Sequence, residues 1–161
     1  MIESCAQCGF EPLALPRGGE ADALRTAISG YPAALARART GSQAGGWSAP
    51  EYVGHVRDVC ALFGRRIQQL VATEDPQLEV IDHDDVVARG EYATADHAEL
   101  IESLSVEAER LAGLIESLRD EDWERVGTRA GEARTVREVA QRAVHEARHH
   151  LADIGGVVPP E

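Results

Sequence analysis

The sequence predicts an all-α protein, a four-helix bundle, on three observations. Apolar residues recur at three- and four-residue spacing through four separate segments. Two of those segments open on capping boxes, Ser48-Ala49-Pro50-Glu51 and Thr135-Val136-Arg137-Glu138. No stretch shows the strict alternation of a half-buried strand. At 161 residues the chain is long enough for one domain with its own core.

Residues 1–19 are a non-helical lead-in, 20–156 the bundle and 157–161 a tail. The lead-in carries Cys5-Ala6-Gln7-Cys8-Gly9-Phe10, a C-x-x-C-G that is half a zinc knuckle. Two thiolates at that spacing can grip one ion, but a closed site needs two more ligands. The pair therefore has several readings: a half-site completed by histidines or by a partner, a redox pair, or a short tail of no consequence. The first helix is predicted over 20–39, from Leu24, Ile28, Tyr31 and Leu35, with Pro32 kinking it. A Gly/Ser loop follows over 41–46. The second helix, 48–73, buries Tyr52, Val56, Val59, Phe63, Ile67 and Leu70, with His55 on the shoulder of that stripe. Asp58, one turn on, either orients His55 or is a solvated charge. Residues 74–95 form a long acidic connection between helices 2 and 3, and Asp82-His83-Asp84-Asp85 reads as solvated loop. A connection of that length is often a lid or a substrate wall. The third helix, 96–119, presents Leu100, Leu104, Leu111, Leu114 and Leu118, with Ile101 and Ile115. Residues 124–134 link it to the last helix, 135–154.

The net charge of −12 and pI near 4.9 argue against nucleic acid and against anionic membrane surfaces. No run of about 18 apolar residues is present, so no membrane span is expected. No secretory signal is seen at the N-terminus, and three cysteines are too few for a disulfide framework, which suits a reducing cytoplasm. All sixteen basic residues are arginine.

The last helix carries the chemistry. His145-Glu146-Ala147-Arg148-His149-His150 holds three of the six histidines. It contains two i, i+4 pairs, offset by one residue. His145-Glu146-x-x-His149 matches H-E-x-x-H, in which two histidines bind zinc and the glutamate is general base. Glu146 and His150 form the other pair. A helical wheel with Val139 at zero centres the apolar stripe near ~70°. Glu146 and His150 then fall near ~340° and ~20°, on its shoulder, while His145 and His149 fall near ~240° and ~280°, largely away from it. A buried carboxylate is costly without a cation, which favours Glu146 as a ligand over Glu146 as a base. The protease-type reading also lacks a third ligand after His149.

Trp47-Ser48-x-x-Glu51-x-x-x-His55-x-x-Asp58, followed by His145-Glu146-x-x-His149-His150-x-x-Asp153-Ile154, resembles the DinB/YfiT-like metal-binding bundle superfamily over about residues 5–156. The lead-in Cys5-x-x-Cys8-Gly9-Phe10 looks like a subset of its actinobacterial members. The resemblance implies a divalent metal at one end of the bundle, held by His55, Glu146 and His150. Many members use three histidines; the mycothiol-dependent isomerases among them use His, Glu and His. Two nitrogens and one oxygen suit zinc in an open site. The family implies a thiol S-transferase that activates mycothiol or a similar low-molecular-weight thiol against a small electrophile, with Asp58 or His149 taking the proton. A metal-dependent hydrolase and a non-catalytic, stress-related metal-binding module are the alternatives. A homodimer is compatible with it.

Overall fold

The computed structural model describes residues 2–39, 41 and 46–158. The centre of the predicted Gly/Ser loop (42–45) and the end of the predicted tail (159–161) lie outside them. The described helices are α1 (Glu20–Ile28), α2 (Tyr31–Arg37), α3 (Ala49–Ala72), α4 (His83–Gly90), α5 (His97–Glu116) and α6 (Val136–Asp153), with a hairpin of β1 (Val126–Arg129) and β2 (Glu132–Thr135) before α6. α1 and α3 each pack against both α5 and α6, which makes the four-helix bundle. The predicted stripes are its core: Tyr52, Val56, Val59, Phe63, Ile67 and Leu70 of α3 are buried, as are Val136, Val139, Ala140, Ala143, Ala147 and Leu151 of α6. No described helix is long and apolar enough to cross a membrane.

Local chemistry sets the helix ends. Ser48 and Glu51 close one capping box, the Ser48 N–H donating to Glu51 Oε2 at 2.7 Å. Thr135 and Glu138 close the other, at 3.0 and 3.1 Å. At the far end of α3, Arg125 donates to the carbonyls of Leu70 and Thr73, which a helix terminus otherwise leaves open.

Four expectations need correction. The first helix is two helices: the chain turns at Ser29-Gly30, and Pro32 starts α2 rather than kinking a longer helix. A Cβ at Gly30 would lie 2.8 Å from Leu151, so this turn can press on α6 only with glycine there. The 74–95 connection is not plain loop, because Asp82 accepts from the N–H groups of Asp84 and Asp85 and starts α4. The 124–134 link contains a hairpin that the absence of alternation concealed. Its strands are four residues each, and Ala130 and Gly131 both have positive φ, as a two-residue primed turn requires. It extends onto the connection after α3, where Leu78 N–H donates to Thr128 O at 2.8 Å and Thr128 N–H to Pro76 O at 2.9 Å. Finally, the lead-in is part of the core. Cys8, Phe10 and Leu15 are buried. Side chains of α6 take its carbonyls: Arg148 that of Cys8, Gln141 that of Pro12 and Arg137 that of Leu15.

Gly54 of α3 is a point of close approach, since a Cβ there would sit 2.1 Å from the Tyr92 ring. Gly54→Ala is expected to destabilise the protein by about 1–3 kcal/mol through overpacking. Gly64→Ala, in the same helix with nothing within 4 Å of its Cβ position, is expected to stabilise by up to about 1 kcal/mol. Urea midpoints check both, and shifts of the same sign would refute this packing.

Candidate metal centre

Two helices bring the predicted ligands together. His55 lies in the second turn of α3, where the Ser48 cap and Pro50 fix the helix start and so its phase. Glu146 and His150 are one turn apart on α6, and α6 packs directly on α3. His150 Nε2 stands 3.2 Å from Glu146 Oε2, and His55 Nε2 stands 3.7 Å from the same oxygen. One ligand atom from each of the three lies within 4.8 Å of the others. A tetrahedral ion with bonds of about 2.0–2.1 Å separates its ligand atoms by about 3.3 Å, so the spacing fits a zinc-sized ion.

Neighbours hold each ligand in place. Arg142 Nε takes the other Glu146 oxygen at 3.1 Å and turns Oε2 toward the imidazoles. Asp153 Oδ2 faces His150 Nδ1 at 2.8 Å, the carboxylate–histidine arrangement that directs Nε2 at an ion. Gln7 of the lead-in donates to the other Asp153 oxygen at 2.6 Å. The Trp47 ring lies 4.9 Å from that of His55, and Tyr52 lies 5.2 Å from His150. Burial works to raise the Glu146 carboxyl, but the hydrogen bond from His150, the nearby His55 imidazole and the charge of Arg142 outweigh it. They hold it far below the usual carboxylate range. Burial works to lower His150, and Glu146 and Asp153 together raise it. The centre thus keeps a carboxylate ionised in a largely buried place, with Glu146 only 19% exposed.

Two approaches reach this centre. On the His150 side is an open cleft of about 470 Å³, bordered by Gln7, Trp47, Tyr52, Asp84 and Asp153. On the Glu146 side is a smaller cavity of about 130 Å³, lined by His83 and four arginines, Arg66, Arg129, Arg134 and Arg142. The Nε atoms of Arg66 and Arg129 are buried there without a hydrogen-bond partner among the described residues. Burial, with Arg129 nearby, pushes the Arg66 guanidinium down to about 10, still charged at neutral pH.

Sequence reasoning missed this cavity, because Arg129 and Arg134 reach it from the unforeseen hairpin. It also missed His83. Its ring lies 4.9 Å from that of His55, and burial and His55 lower its affinity for a proton. The signal was the Asp82 cap, which starts α4 at His83.

Of the two predicted proton acceptors, His149 borders the open cleft beside His150, and Asp58 lines neither approach. Asp58 is occupied, accepting from Arg57 at 2.6 Å and from the Tyr92 hydroxyl at 2.6 Å. His149 faces the lead-in, its Nδ1 3.4 Å from Cys5 Sγ.

Comparison with known proteins agrees with this architecture. The family model of the DinB superfamily matches residues 19–154. Among solved structures, the fold is similar to YfiT from Bacillus subtilis, described as a probable metal-dependent hydrolase with an unusual four-helix bundle topology. The TM-score is 0.76 at 20% identity, over 84% of this chain and 82% of that one. It is similar also to the mycothiol-dependent maleylpyruvate isomerase, with a TM-score of 0.74 at 18% identity, over 92% of this chain and 66% of that one. No curated protein matches the sequence.

Proposed function

This chain belongs to the DinB superfamily, and from that premise we propose that it is a zinc-dependent thiol S-transferase acting on a small anionic electrophile. The observation that carries the reading is the meeting of His55, Glu146 and His150 between an open cleft and an arginine-lined cavity. Three protein ligands leave one position of a tetrahedral ion for a substrate. When bound, the ion stabilises the thiolate of a coordinated thiol over its thiol form near neutral pH.

The residues of the chain supply the rest. The open cleft admits a polar thiol such as mycothiol: Trp47 and Tyr52 offer aromatic faces, and Gln7, Asp84 and Asp153 offer hydrogen-bonding groups. The cavity holds the electrophile. Arg66 and Arg129 line that cavity and bind a carboxylate or phosphate of that molecule, their Nε atoms having no hydrogen-bond partner among the described residues. His83, on the cavity wall beside His55, is placed to take the thiol proton. The thiolate sulfur then bonds to the electrophile's carbon as a C=C π bond at that carbon opens, and the carbanion so formed takes the proton back from His83, while the arginines hold the anionic end. A hydrolase built on the same centre would take its base from His83 on the cavity wall or from His149 at the open cleft.

His55→Ala, Glu146→Ala and His150→Ala are each expected to lose one equivalent of zinc per chain by mass spectrometry. Each should also lose conjugation of mycothiol to an anionic electrophile down to the background rate. Asp153→Asn is expected to retain the three ligands but weaken zinc binding about 10–100-fold. No conjugation above background by the zinc-loaded wild type would sink the transferase reading, and turnover of an ester without added thiol would favour a hydrolase.

Arg66→Ala and Arg129→Ala are each expected to raise KM for a carboxylate-bearing electrophile about 10–100-fold, the worth of one charge-assisted hydrogen bond. KM for its neutral amide should hardly change. Equal effects on both substrates would remove the anion from the proposal.

A further inference from the structure

The lead-in and α6 enclose a second cluster. Cys5, Cys8, His145 and His149 each offer one ligand atom, and the four atoms lie within 4.8 Å of one another. All three cysteines of the chain are free thiols, and Cys60 stands apart, buried in α3. The geometry points to a closed, tetrahedral Cys2His2 zinc site formed by Cys5, Cys8, His145 and His149, distinct from the centre at His55.

Three observations carry it. The first is the shape of the 5–10 segment. The Cys5 N–H donates to Phe10 O at 2.9 Å, pairing the ends of the turn. The turn brings the Cys5 and Cys8 sulfurs within 4.8 Å of each other. Gly9 has φ +67, so the residue after Cys8 takes the left-handed turn that glycine adopts without strain.

The second is His145. Both its ring nitrogens are buried and neither has a hydrogen-bond partner among the described residues. A buried polar atom left so is costly, and a redox pair of Cys5 and Cys8 would do nothing to relieve it. An ion between the ring and the two sulfurs would take one of the two nitrogens.

The third is spacing. Zinc bonds of about 2.3 Å to sulfur and 2.0–2.1 Å to nitrogen put tetrahedral neighbours about 3.5 Å apart. His149 Nδ1 is 3.4 Å from Cys5 Sγ. Its other nitrogen faces Asp153 Oδ2 at 3.9 Å, the outer partner that a ligating histidine usually has.

Such a site has a structural task. Four protein ligands leave no position for substrate. The ion would pin residues 5–10 to α6, and Gln7 of that segment holds Asp153, which in turn orients His150.

Cobalt replacement tests this in the full-length chain. Wild type reconstituted with Co²⁺ is expected to hold two ions and to show a thiolate-to-cobalt charge-transfer band. Cys5→Ser and Cys8→Ser should each lose the band and one ion. Glu146→Ala should lose the other ion and keep the band, so failure of the His55 centre and failure of this one are distinguishable. His149→Cys preserves four ligands and is expected to strengthen the band, as a third sulfur joins. A wild type without the band would overturn the proposal. So would a band unchanged by both His145→Ala and His149→Cys, because the sulfurs would then bind metal without these histidines.

Discussion

One end of this bundle depends on the Glu146 carboxylate. It is largely out of water, ionised, and shares one oxygen between two imidazoles. An anion in that position requires compensating positive charge close by. The protein alone provides it through Arg142 on one oxygen and His150 on the other, with the carboxylates of Glu146 and Asp153 raising the proton affinity of His150. A divalent cation would satisfy the same carboxylate while freeing both Nε2 atoms to act as ligands. The surroundings suit that exchange. Asp153 fixes His150 from behind, Arg142 fixes Glu146, and the tight packing of α3 on α6 sets His55 opposite both.

The same helix does this twice. Neighbouring residues on a helix differ by about 100°, so the pair 145/149 and the pair 146/150 look out on different surroundings. Glu146 and His150 face α3. His145 and His149 face the segment from Cys5 to Phe10, with the Phe10 and His145 rings 5.3 Å apart. The H-E-x-x-H match is therefore split between two neighbourhoods. Its glutamate stands with His55 and its histidines with the cysteines, so it does not have the arrangement of a protease site.

The bundle and the convergence of His55 with Glu146 and His150 could be read in the sequence for a simple reason. Both rest on helical periodicity, and a period of 3.6 survives in the chain as a visible pattern. The same wheel placed His145 and His149 away from the core, and that was correct relative to α3 and α5. It could not foresee that the lead-in would cover that side, because residues 2–19 have no period. Their burial depends on single contacts, such as Arg148 to the Cys8 carbonyl. The hairpin was hidden because four-residue strands are too short to show alternation, and its Ala130-Gly131 turn lacks the usual Asn or Asp. With it went Arg129 and Arg134, and hence the cavity. His83 was concealed differently: four consecutive polar residues read as solvated loop, although Asp82 is a helix cap.

The charge distribution links the metal centre to the substrate it would take. The chain carries −12 overall, yet four arginines gather at one cavity beside Glu146. Two neutral imidazoles and one carboxylate would leave a divalent ion with a net charge of about +1, and a bound thiolate would cancel it. A three-histidine centre would keep one positive charge more. With glutamate in the set, the centre can hold a thiolate but has little attraction left for an anionic partner. That attraction has to come from outside the ligand shell, in a place water does not reach, where a fixed charge acts most strongly. Arg66 is buried and Arg129 half-buried at that cavity, each with an Nε that has no hydrogen-bond partner among the described residues. The choice of glutamate at position 146 and the arginines of the cavity are thus two parts of one electrostatic arrangement.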